Sequence, residues 1–208
     1  MIKDHPIFLE SIRFIQSKLV DNDLNKIEQK ILERLIHTSG DFKIQGLLEF
    51  SQNVCENTIE AIKFGAPILT DTDMAASAIR SMAKKSNDNS VLSVKKWIND
   101  DLQISNTKTA YGIEKAWLEL SDKYSGKVSP IVVFGSSPTA LEKLLDIVEE
   151  SNKKPSVIIG MPVGFIGVEK SKKRLLESDC PYIVLRSTRG GAAMAGATIN
   201  ALLRESMN

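Results

Sequence analysis

The chain reads as an α/β protein, a single domain over residues 1–208 with a largely parallel sheet flanked by helices and ligand loops at the carboxyl ends of the strands. Three observations predict this. The last third alternates an apolar strand with a helical stretch three times. Each strand runs into a glycine-bearing turn that opens the next helix. The strand runs are also uninterrupted in apolar character ("IVVF", "VII", "YIVL"), as buried strands are.

Taken in order, the chain starts helical. Phe8, Ile12, Ile15 and Leu19 recur at spacings of 4, 3 and 4, one face of a helix. Leu24, Ile27, Ile31 and Leu35 repeat the pattern, with Asp23 as the expected cap and Gly40 as the stop. A third apolar pattern, from about Ile44 to Phe64, reads as one more helix ending at Gly65. "GAPILTDTDM" is a short buried strand ending in Asp71 and Asp73, and "KKSNDNS" (84–90) is a polar loop. A short strand at 91–94 precedes a helix opened by the polar turn of "NTKTAYGIEKAWLEL". Then come the three regular units. In the first, Ser137 is the N-cap and Pro138 the first residue of the helix.

Composition narrows the function classes. Of 208 residues, 42% are hydrophobic and 25% charged, and the formal net charge is +1. No global field draws such a protein to nucleic acid or membrane, so electrostatic recognition must be local. Cys55 and Cys180 form no CxxC pair and have no metal-ligand spacing, which predicts free thiols in a reducing cytoplasm. The start, "MIKDHPIFLE", is charged and broken by Pro6, unlike a signal peptide, and no apolar run approaches the ~18–20 residues of a membrane span.

In an open parallel sheet, ligands sit beyond the carboxyl ends of the strands. That rim carries "GSSPTA", "GMPVGFIG" and "RSTRGGAA", each offering backbone N–H groups at a helix start, where phosphates and carboxylates bind. Ser137 and Gly190 lie in these turns, and Arg186, Arg189 and the "KSKKR" run containing Lys172 add positive charge nearby. One such loop is ordinary turn chemistry. Three on one rim point to a ligand with several anionic groups. Nucleotide fingerprints are missing: Gly160, Gly164 and Gly167 do not make GxGxxG, and there is no P-loop. Asp71 and Asp73 lack histidine or cysteine partners at metal-ligand spacing, so no metal site is expected. There is no GxSxG elbow.

His37, one of two histidines, sits in "LIHTSGDF" just before Gly40. At ~100° per residue it lies about 120° from the centre of its helix's apolar stripe, so it is not core filling. The negative end of the helix dipole favours a cation there, and a cationic imidazole is a good general acid. Spacing alone favours a plain surface histidine at a helix end. His5 lies in the opening segment and carries no expectation.

Together, "LIHTSGDF", "GAPILTDTDM", "SNTKTA", "GSSPTAL", "GMPVGFIGVEKSK" and "RSTRGGAAM" resemble the precorrin-8X methylmutase (cobalt-precorrin-8 methylmutase) family, in that family's order and across nearly the whole chain. The resemblance implies an isomerase of cobalamin biosynthesis. The reaction it implies is a 1,5-sigmatropic shift of a methyl group from C11 to C12 of (cobalt-)precorrin-8, giving hydrogenobyrinate or cobyrinate. It also implies His37 as the acid that protonates the ring C region, no cofactor, and a homodimer with the pocket near the subunit interface. Ser11 in "ESIRF" falls where the family has a Glu-Ser pair near the substrate. Lys108 in "NTKTA" falls where many members carry arginine, keeping the charge without the bidentate fork. Ala192 stands where members often have serine, and Thr38-Ser39 where Ala-Cys is more common. On this resemblance Ser137, Lys172, Arg186, Arg189 and Gly190 are expected to hold the carboxylates of the tetrapyrrole. Two other readings stay open at this point: a non-catalytic corrinoid-binding protein on the same fold, and a small α/β enzyme for a phosphorylated or nucleotide ligand.

Overall fold

A computed structural model describes residues 5–99, 106–151 and 153–208. One six-stranded sheet organises it. In chain order the elements are α1 (Pro6–Gln16), α2 (Lys26–Ser39), β1 (Leu48–Phe50), α3 (Val54–Lys63), β2 (Ile68–Thr70), α4 (Asp73–Lys85) and β3 (Val91–Ser93). There follow α5 (Lys108–Lys123), β4 (Ile131–Phe134), α6 (Pro138–Ser151), β5 (Val157–Gly160), α7 (Val168–Leu176), β6 (Tyr182–Leu185) and α8 (Ala192–Glu205). The strand order is β1-β6-β5-β4-β2-β3. Only β1 runs antiparallel, pairing Leu48 with Leu185 at the β6 edge.

Strand alternation divides the core in two. Ile131, Val133, Ile159 and Ile183 face a layer that includes α2, α3, α4 and α8. Val132, Phe134, Ile158 and Val184 face α5, α6 and α7. With both faces covered, every residue of β4 and β5 is buried, which is why these strands read as unbroken apolar runs. From β2 the chain moves outward to β3, crosses back to β4, and then steps through β5 to β6. The topological switch therefore lies between β2 and β4, where the loops after these two strands part. Among the described residues, no helix is long and apolar enough to cross a membrane.

Three local expectations are corrected. The stretch from Ile44 to Phe64 is a 3-10 turn (Phe42–Leu47), the edge strand β1 and helix α3. The apolar spacing is helical there by coincidence, and Asn53 at φ 55° turns the chain between strand and helix. Helix α2 is capped by Asn25, not Asp23. The Asn25 side chain accepts from the amides of Ile27 (2.9 Å) and Glu28 (3.1 Å), while Glu28 returns a bond to the Asn25 amide (2.9 Å). Helix α4 was not anticipated, because its inner face is built mainly from Ala75, Ala76, Ile79 and Ala83, and alanines carry little periodic signal.

Candidate functional site

His37 occupies the last turn of α2, where Gly40 closes the helix at φ 66° and donates its amide to the Ile36 carbonyl (2.8 Å). The left-handed conformation there suits glycine. The imidazole is exposed, as its angular position predicts. Helix α1 crosses this helix and brings the half-buried Ser11 Oγ to 2.8 Å from His37 Nδ1. Phe8, one turn earlier on α1, meets the His37 ring edge-on at 5.0 Å between centroids, and the Arg34 guanidinium covers the same phenyl ring at 4.8 Å. When the ring is imidazolium, Nδ1–H donates to Ser11 Oγ. That bond fixes the ring and leaves Nε2 as the nitrogen pointing away from it. His5, by contrast, caps α1, its Nδ1 accepting from the Ile7 amide at 3.3 Å.

Four residues beyond His37, Asp41 links this end of α2 to the strand rim. One carboxylate oxygen accepts from the Lys43 amide (2.9 Å) and the other accepts from the Arg189 guanidinium. Arg189 lies in the loop that follows β6, so the cation and the imidazole are held on adjoining segments. Gly190 in that loop has φ 152°, and a Cβ there would stand 2.1 Å from the Met161 carbonyl oxygen. The loop lies directly against the exit of β5, so glycine is a packing requirement at that position. Arg186 turns towards the β1 edge, its Nε 3.0 Å from Glu49 and its Nη2 donating to the Gly46 carbonyl (2.8 Å). Lys108 is exposed at the first position of α5.

At the switch point the structure departs from expectation. Asp71 is 1% exposed, and its Oδ2 accepts the amides of Gly135 (3.1 Å), Ser136 (2.6 Å) and Ser137 (2.8 Å). Burial pushes its carboxyl pKa up, and the three amide bonds pull the other way. The "GSS" turn that looked open to a ligand carboxylate is thus filled by the protein's own. Ser137 Oγ accepts from the Ala140 amide (3.2 Å) as the expected N-cap and joins a hydroxyl cluster with Thr109 (2.8 Å) and Thr139 (3.1 Å). Thr107, which caps α5, meets Thr139 at 2.7 Å.

Lys172 is likewise 1% exposed, donating to the carbonyls of Ser187 (2.8 Å) and Arg189 (2.5 Å), and burial lowers its pKa to about 8 against the raising influence of Glu169. Ser137 and Lys172, expected at the ligand rim, are both buried here and bonded within the protein, where they hold the rim together. The last residue of the "KSKKR" run is also engaged. Arg174 binds Glu142 (2.7 Å), Asp146 (2.6 Å) and Glu149 (2.9 Å) on α6. Among the described residues no cluster of histidine, cysteine and carboxylate side chains could hold a metal ion.

The structure thus brings Ser11 and His37 together and places Arg189 beside them through Asp41. Ser137, Lys172 and Gly190 are packed into the rim itself, and Arg186 pairs with Glu49 at the β1 edge. Sequence reasoning missed Asp41, Phe8 and the threonine cluster. Asp41 stood in the same "LIHTSGDF" segment as His37, and the threonines flank Lys108 and Pro138. Chemically, the arrangement offers one oriented imidazole at an exposed helix end with a guanidinium on the neighbouring loop. Ser11→Ala should lower turnover by about 10–100-fold, the worth of one hydrogen bond to a charged group, with the fold intact. Steady-state kinetics check this, and an unchanged rate would show that the bond does not orient the ring.

Comparison with known proteins agrees along nearly the whole chain. The precorrin-8X methylmutase family model matches residues 6–205. A precorrin-8X methylmutase of Sinorhizobium is 30% identical, with 95% of this chain and 93% of that protein covered. A cobalt-precorrin-8 methylmutase of Methanocaldococcus jannaschii is 33% identical over 90% of this chain and 84% of its own. The crystal structure of the precorrin-8X methylmutase of Thermus thermophilus superposes with a TM-score of 0.84 at 27% identity, covering 97% of this chain and 95% of that one.

Proposed function

The chain belongs to the precorrin-8X methylmutase family, an isomerase family, and on that premise we propose that it moves a methyl group from C11 to C12 of a precorrin-8 macrocycle, with or without cobalt at its centre. The observation that carries this reading is the exposed His37 ring held at Nδ1 by Ser11 at 2.8 Å. The imidazolium gives a proton from Nε2 to the ring C region of the substrate. The C11–CH3 bond breaks as the C12–CH3 bond forms, and the proton returns as the double bonds settle. The shift is intramolecular, so it balances without a redox partner or a group carrier.

Arg189 and Lys108 face the substrate's carboxylates. The Arg189 side chain is 37% exposed even while paired with Asp41, which supports contact with an incoming anion. Expression of the gene in a cobalamin auxotroph lacking its methylmutase should restore growth. Soluble, folded protein that does not restore growth would contradict the reading.

The working unit in this reading is a homodimer. Its support is the family resemblance together with apolar side chains exposed at the strand rim: Phe165 at 87%, Ile166 at 90% and Met74 at 72%. Phe165 and Ile166, adjacent and both exposed, mark a surface that meets a partner or a ligand. Sedimentation at micromolar concentration should give a dimer, and Phe165→Glu combined with Ile166→Glu a monomer. A monomeric wild-type protein would contradict the assignment.

A further inference from the structure

We propose that Lys172 is a positioning residue of this site, acting through Arg189 by fastening the backbone of residues 186–191 from beneath. The inference rests on the reading of Arg189 as a substrate contact. Three consecutive carbonyls of this loop have identified donors: those of Ser187 and Arg189 accept from Lys172 Nζ, and that of Thr188 accepts from the Gly164 amide (3.1 Å).

The backbone so held is in conformations it would not keep unaided. Ser187 has φ 69°, a left-handed value uncommon for a residue with a side chain, and Gly190 and Gly191 have φ 152° and 118°. The ammonium bonds the carbonyl of that strained serine. On its other side the loop is tied to the β5 exit by the Gly191 amide, which donates to the Met161 carbonyl (2.9 Å). With both sides fixed, the Arg189 side chain leaves the loop in one direction and reaches Asp41, four residues from His37. The spacing between guanidinium and imidazole is then set by a lysine that is 1% exposed and so contacts the ligand only by way of the loop.

A methionine at this position has similar length and no donor. It would leave two carbonyls without their bonds and let Ser187 relax, loosening Arg189. The test is a double-mutant cycle of Lys172→Met and Arg189→Ala, read as product affinity and as KM against kcat. Each single variant should weaken product binding and raise KM by about 10-fold or more with kcat changed far less, because the acid is untouched. The double variant should be no weaker than Arg189→Ala alone within about 3-fold, the coupling expected of residues acting as one unit.

Multiplicative losses would overturn the proposal, since either a separate ligand contact or a general loss of structure gives them. Lys172→Gln, which keeps a donor, should recover part of the affinity. Amide hydrogen exchange on the unaltered protein gives a reading that needs no variant: the Gly191 amide should exchange slowly, and rapid exchange there would overturn the anchoring. If Arg189→Ala binds product normally, the reading of Arg189 falls and the proposal with it. Slow Gly191 exchange would then show an anchor that serves the fold alone.

Discussion

His37→Ala is expected to lose ~10²–10⁴-fold in turnover, the usual worth of a positioned general acid, while folding normally and binding product with little change. The ring is exposed and its removal opens no core cavity. The partners it leaves behind, Ser11 and Phe8, lie on a helix whose buried contact is made by Ile15. In the proposed reading product affinity rests on carboxylate contacts made elsewhere. Single-turnover kinetics and product titration, beside circular dichroism, separate these outcomes. A folded variant that turns over at the wild-type rate would remove His37 from the chemistry.

The second large effect belongs to a residue outside the chemistry. Asp71→Ala should destabilise the protein by roughly 3–5 kcal/mol, since the buried amides of Gly135 and Ser137 and the half-buried amide of Ser136 lose one acceptor at a typical cost of about 1–3 kcal/mol each. The turn between β4 and α6 would open at the switch point, disturbing the neighbouring threonine cluster. Asp73 serves as the control. Its carboxylate is 52% exposed, its contact with Lys95 spans 3.6 Å, and such surface pairs contribute little. Asp73→Ala should therefore change stability by less than about 0.5 kcal/mol. Chemical denaturation measures both, and equal losses would contradict the role given to Asp71.

The two aspartates also show how far the sequence could be read. Both stood at a strand end, and nothing local distinguished them. What separates them is the turn that Asp71 caps, 64 residues away along the chain, which is a property of strand order. The same limit explains Ser137 and Lys172. Composition offered a hydroxyl and an ammonium beside glycine turns, but only the packed rim reveals that both are buried and bonded inward.

Strand–turn–helix units at β4, β5 and β6 were legible because burial on both faces writes itself into continuous apolar runs. The three-residue edge strand β1 was not, since its identity comes from pairing with β6. The exposure of His37 followed from its angle on α2. Its partner Ser11 sits 26 residues earlier on another helix and was reached only through the family resemblance.

The most direct test of the account is conversion of precorrin-8, in its metal-free or cobalt form, by the purified wild-type protein, followed by absorbance, mass spectrometry and carbon NMR. The account predicts repeated turnover to a product of unchanged mass with the methyl group on C12. Stoichiometric binding with the methyl group left on C11 would contradict it and mark the chain as a corrinoid-binding protein.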